Sequence, residues 1–114
     1  MSTSATVHFQ ENGETAAIIY IHGDGNPECL GEDLKTFFVD VRIQTKPRYT
    51  RFNDPRYLAA KFVVWQAARF ASNPKKPLDF ISIGIMIEEV FDISYRYLVG
   101  CNTEDNPSIT VERV

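Results

Sequence analysis

His22, Asp24, Asn26 and Glu28 stand at alternate positions in the segment Ile18-Ile19-Tyr20-Ile21-His22-Gly23-Asp24-Gly25-Asn26-Pro27-Glu28. An imidazole, an amide and two carboxylates at this spacing can ligate a metal, move a proton or grip a ligand. One histidine and two carboxylates are a sparse set for a metal, whose sites draw further ligands from elsewhere, so no metal is expected. His22 as general base with Asp24 or Glu28 as its orienter would make a small enzyme. A simpler reading has Asp24 and Asn26 hydrogen-bonding their own backbone while His22 closes a strand. A corner that contacts a ligand without chemistry ranks above catalysis, and no catalytic residue is assigned.

A second set is cationic and aromatic. Arg48, Tyr49, Arg51 and Phe52 interleave guanidinium groups with rings, a combination that stacks a base and pairs a phosphate, or simply packs a loop down. Arg96 stands between Tyr95 and Tyr97 on a later strand and faces away from them. The candidate ligand-binding residues are therefore His22, Asp24, Asn26, Glu28, Arg48, Tyr49, Arg51 and Arg96. The formal net charge is −3, yet nine of the twelve basic residues fall between Arg42 and Lys76, with Asp54 the one acid among them. A net-acidic chain with a basic middle is not expected to bind nucleic acid generally, but it can hold a phosphate, a carboxylate or an acidic surface. Gly23-x-Gly25 is followed by Asn-Pro rather than by a glycine-rich helix start, so it is no phosphate loop. Cys29 and Cys101 lack a Cys-x-x-Cys pairing and read as free thiols. No cofactor is expected.

The elements that must position these groups follow from periodicity. Val7 and Phe9, then Ala16, Ile18 and Tyr20, flank Asn12-Gly13, the preferred two-residue hairpin turn. Residues 5–11 and 15–22 are expected to pair with Glu11 opposite Glu14, Phe9 opposite Ala16 and Val7 opposite Ile18. A helix near residues 30–39 places Leu30, Leu34, Phe37 and Phe38 on one face. Residues 42–53 have no clean period and read as a loop. Asn53-Asp54-Pro55 starts a second helix that runs to about Ala71, ending before Asn73-Pro74. Apolar residues cover most of its circumference, which predicts burial on more than one side and a homo-oligomer. Strands are expected at Leu78–Ile87, Ile93–Val99 and Ile109–Val114. The order ββααβββ predicts an α+β fold, a mostly antiparallel sheet with two helices on it.

With 114 residues the chain is expected to form a single domain, residues 1–114. Its N-terminus has neither the basic nor the apolar region of a secretory signal, and no apolar run has the length of a membrane helix.

The pattern Ile19-Tyr20-x-His22-x-Asp24-Gly25-x-Pro27-Glu28, then Gly31, Leu34 and Phe37, resembles a family of small uncharacterised bacteriophage and prophage proteins. Tyr57-Leu58-Ala59-Ala60-Lys61 and Asp92-Ile93-Ser94-Tyr95-Arg96-Tyr97 are similar to later segments of that family. Gly23 and Asn26 replace the family's corner aromatics, which removes any stacking they provide. The resemblance implies a phage accessory protein acting in an infected host's cytoplasm. The expected function is that of a non-enzymatic binding protein that antagonises a host component, a defence complex such as a CRISPR effector being the expected target. Its partner is then a host defence protein whose surface it occupies, or a small anionic nucleotide signal that it sequesters. The alternatives are the small enzyme built on His22, Asp24 and Glu28, and a virion assembly protein.

Overall fold

The computed structural model describes residues 3–73, 75–79 and 82–114. Its main elements are β1 (Ala5–Glu11), β2 (Glu14–Ile21), α1 (Glu32–Gln44), α2 (Pro55–Phe70), β3 (Ile83–Met86), β4 (Tyr95–Gly100) and β5 (Ser108–Arg113). The fold is α+β, a five-stranded sheet in the order β3-β2-β1-β4-β5 with two helices. Pairings β1–β2, β2–β3 and β4–β5 are antiparallel, whereas the β1–β4 pairing is parallel. No helix among the described residues is long and apolar enough to cross a membrane.

The hairpin turns where expected. Asn12 and Gly13 adopt φ of 52° and 81°, the left-handed pair that a tight turn between twisted strands requires. Glu11 opposes Glu14, but the register then shifts, so Phe9 pairs with Ala17 and Val7 with Ile19. The expected partners Ala16 and Ile18 are displaced by a β-bulge, whose one extra residue reverses the face that the rest of the strand presents. Ile19 and Ile21 thereby enter the main core, and Ile18 and Tyr20 turn to the other face.

That core lies between the sheet and the helices. Ala5, Val7 and Phe9 of β1 meet Leu34, Phe37, Phe38 and Val41 of α1 and Leu58, Phe62 and Trp65 of α2. The aromatic rings interlock: Phe37 lies edge-on to Phe62 at 5.2 Å, and Phe38 edge-on to Phe52 at 5.8 Å. Helix α1 starts later than expected because a π-helical turn, Pro27–Gly31, carries Leu30 into the core first. It also ends later, since Val41 continues the buried stripe begun by Leu34, Phe37 and Phe38. Asp54 caps α2 by accepting from the Tyr57 N–H, and Pro55 follows at the first helical position. Trp65 donates its indole N–H to Asp40 Oδ2 at 2.7 Å, tying the two helices together.

The expected strand Leu78–Ile87 is much shorter. Pro77–Asp79 forms a 3₁₀ turn, Phe80 and Ile81 lie outside the described residues, as does Pro74, and β3 spans only Ile83–Met86. Pro77 has no N–H for a ladder, and β2 offers β3 only the positions Ile18–Ile21. Since β3 and β4 both run parallel to β1, the chain must cross the sheet between them. Residues 87–94 make that crossing over the face away from the helices.

The interlocked core predicts unequal sensitivity along α2. Phe62→Ala should cost roughly 3–5 kcal/mol in urea unfolding, whereas Val64→Ala, at an exposed position, should change stability by less than about 0.5 kcal/mol.

Candidate functional site

The corner is built by short-range hydrogen bonds. Asp24 takes a left-handed φ of 58°, a conformation that Asp tolerates better than most residues. The Gly25 N–H donates to the Thr3 carbonyl at 2.8 Å, and a Cβ on Gly25 would lie only 2.7 Å from Ala5 Cβ. The corner therefore needs glycine there to close onto β1. Tyr97, fully buried on β4, donates its hydroxyl to the Gly25 carbonyl at 2.7 Å, and burial raises its pKa. Asn26 donates from Nδ2 to Glu28 Oε2 at 2.8 Å. That bond, with one from the Glu28 backbone, lowers the carboxyl pKa. His22 Nδ1 lies 3.1 Å from the Tyr20 hydroxyl. The corner thus holds its polar groups in separate pairs, His22 with Tyr20 and Asn26 with Glu28. Asp24 instead borders a cavity of about 310 Å³ with Asp33, Gln66 and Ser82. Burial raises the Asp33 pKa there, Arg69 opposes it, and Asp24 adds to it.

The basic loop is elsewhere. Arg48 and Tyr49 belong to a 3₁₀ turn, Pro47–Tyr49, between the helices. Helix α1 leads from the corner to this loop, and its 13 residues set the two apart by roughly 20 Å. Arg51, at φ 62°, lays its guanidinium over the Tyr57 ring at 4.6 Å and toward Tyr49 at 5.9 Å. One face of this cation is therefore already stacked within the chain.

Arg96 occupies a third place, on the sheet face away from the helices. It forms ion pairs with Glu89 of the crossing segment at 2.9 Å and with Glu112 of β5 at 3.3 Å. The sequence candidates thus divide among three sites.

Two features draw on residues beyond those candidates. Between α1 and α2 runs an apolar groove of about 440 Å³, lined by Phe37, Val41, Tyr57, Ala60, Val64 and Trp65 among others. Val64 is 68% exposed and Tyr57 57% exposed, so the outer side of α2 is open in the single chain. Its residues 57, 60, 61, 64 and 68 recur at helical spacing. That signal is present in the sequence, although periodicity alone does not distinguish an open stripe from a covered one.

The second feature is the polar layer under the crossing segment. His8 is 4% exposed and Thr6 fully buried. His8 Nδ1 lies 3.1 Å from Thr15 Oγ1, which accepts from Gln10 Nε2 at 3.1 Å. Thr6 Oγ1, His8 Nε2 and Arg96 Nε are buried without a hydrogen-bond partner among the described residues. Cys101 is also buried, and its thiol pKa is pushed up to about 12, mainly by burial.

Comparison with protein-family models, curated proteins and solved structures finds no match for this chain.

Two outcomes follow. Tyr97→Phe leaves the buried Gly25 carbonyl without its donor and should cost about 1–3 kcal/mol, read by urea denaturation. Burial first, then the charge of Arg96, lowers the His8 pKa below its ordinary 6.5, with Glu89 and Glu112 opposing. The folded state thus favours neutral imidazole. Its contribution to stability is complete above pH 6.5 and is lost as pH falls from there through the folded-state value. Thermal melts between pH 7.5 and 5 should show this loss, flattened in His8→Gln.

Proposed function

We propose that the chain is a non-enzymatic binding protein that acts by occupying part of a partner protein's surface, with the α1–α2 groove as its contact face. The observation that carries this reading is the open apolar groove, in which Val64 and Tyr57 stand more than half exposed beside the buried Phe37 and Trp65. Apolar side chains left open between two helices form a seat for an amphipathic helix. The charge at the groove indicates which helix. Asp40, which accepts from the Trp65 indole, and Lys61 both line the groove, and Arg51 covers Tyr57. Lys46 and Arg48 follow Thr45 at the same end. A partner helix with an apolar stripe and acidic flanks matches this surround.

The phage origin and host-cytoplasmic setting rest on the resemblance carried by residues 19–37, 57–61 and 92–97. Under that reading the target is a host defence protein. The nucleotide-sequestering version has less support, because Arg48, Tyr49 and Arg51 stand at the far end of α1 from His22–Glu28. Arg96 is moreover paired with two carboxylates.

The test is a plating assay on bacteria carrying individual defence systems, with the chain expressed from a plasmid. Restoration of phage plating on one such strain is expected. It should be lost with Val64→Asp, which is at an exposed position and should leave the melting temperature unchanged. Full restoration by folded Val64→Asp would overturn the groove as contact face, and failure to restore plating on any strain would overturn the anti-defence role. Light scattering identifies the competing occupant: a stable dimer abolished by Val64→Asp would mean that a second copy fills the groove.

A further inference from the structure

The face of the sheet away from the helices carries a second cavity, of about 420 Å³, whose lining includes His8, Ile18, Glu88, Glu89, Arg96 and Glu112. We propose that it binds a small organic cation that also carries a hydrogen-bond acceptor. This site is independent of the groove.

Two buried atoms of the lining, His8 Nε2 and Arg96 Nε, set the inner end, and Thr6 is buried beside them. Thr6 and Arg96 are direct neighbours across the β1–β4 pairing, and His8 lies two residues further along the same face. Thr6 Oγ1, His8 Nε2 and Arg96 Nε all lack a partner among the described residues, where buried polar groups are ordinarily paired. Arg96 Nε carries a hydrogen and can only donate. Gln10 donates to Thr15 Oγ1, and the Thr15 hydroxyl faces His8 Nδ1. A Thr15 that accepts from Gln10 and donates to Nδ1 leaves the ring proton on Nε2. Two N–H groups of the lining, those of His8 Nε2 and Arg96 Nε, are therefore left for a ligand's carbonyl or ring nitrogen to accept from.

The rim sets the charge. Glu88, Glu89 and Glu112 bring three carboxylates against the single guanidinium of Arg96, whose outer N–H groups are engaged by Glu89 and Glu112. An anion entering the cavity meets a carboxylate excess, while an ammonium group reduces it. Ile18 and Ile87 supply apolar walls for the stem between the two ends. Acceptor inside and cation outside is the complement of this lining.

Nuclear magnetic resonance titration of the whole chain tests the site, using histamine as the cation with an acceptor and inorganic phosphate as the anion. Histamine should give saturable shifts at the His8 ring and at Arg96 Nε–H. Glu89→Gln, a change at a half-exposed rim position, should weaken histamine roughly tenfold and strengthen phosphate by freeing an Arg96 N–H. His8→Phe should weaken histamine as well. Should that variant not fold, Glu89→Gln decides alone. Shifts from phosphate but not histamine on the unmodified chain would overturn the proposal. So would shifts from histamine confined to other surfaces, the absence of any shift, or an affinity for histamine unchanged by Glu89→Gln.

Discussion

Strand β1 is buried on both faces, and that one constraint organises the molecule. Ala5, Val7 and Phe9 point into the helix-covered core, while Thr6 and His8 point the other way and are as thoroughly removed from water. A middle strand of this kind needs a layer on each side. The helices supply one layer, through Phe37, Phe38, Phe62 and Trp65. The crossing between β3 and β4 supplies the other, pinned by the Glu89–Arg96 ion pair. Because β3 and β4 both run parallel to β1, the chain has to cross the sheet to enter β4 in the right direction, and it does so over this face.

The two layers differ in chemistry. On the helix side the contacts are apolar, and they end abruptly at the outer edge of α2, where Tyr57 and Val64 remain open. On the crossing side, polar residues of β1 and β4 meet carboxylates, and three buried polar atoms have no partner among the described residues. The corner at residues 22–28 belongs to neither surface. Its groups are spent on the corner itself: Tyr97 and Thr3 hold Gly25, Asn26 holds Glu28, and Tyr20 meets His22. A segment dense in chemistry-bearing residue types is here a structural joint between β2 and α1, with Gly23 and Asp24 bordering a cavity.

Much of the architecture was legible in the sequence. Asn12-Gly13 announces the hairpin, Asp54-Pro55 the start of α2, and the stripe Leu34, Phe37, Phe38 the buried face of α1. The face of β2 was not legible, because the bulge after Thr15 has no signature in a run as uniformly apolar as Ala16–Ile21. The sheet's central parallel pair was equally hidden, since alternation in β4 reads the same for either direction of pairing. The candidate surfaces were the least legible. His8 lies in an ordinary alternating strand, and only the crossing segment, folded over from about eighty residues away, makes it a buried polar group. Arg96 stood out as a cation, but its two carboxylate partners come from positions that only the folded sheet brings together.

The fold depends on β1 being held by two layers at once, and native-state hydrogen exchange measures this directly. The amides of Thr6, Val7, His8 and Phe9 should exchange only through global unfolding, with free energies that fall with denaturant as steeply as the global transition. Amides of Glu88–Phe91 should exchange faster, as expected of an exposed covering segment. Exchange of the β1 amides through small, denaturant-independent openings would contradict the account, because the strand would then be released without dismantling either layer.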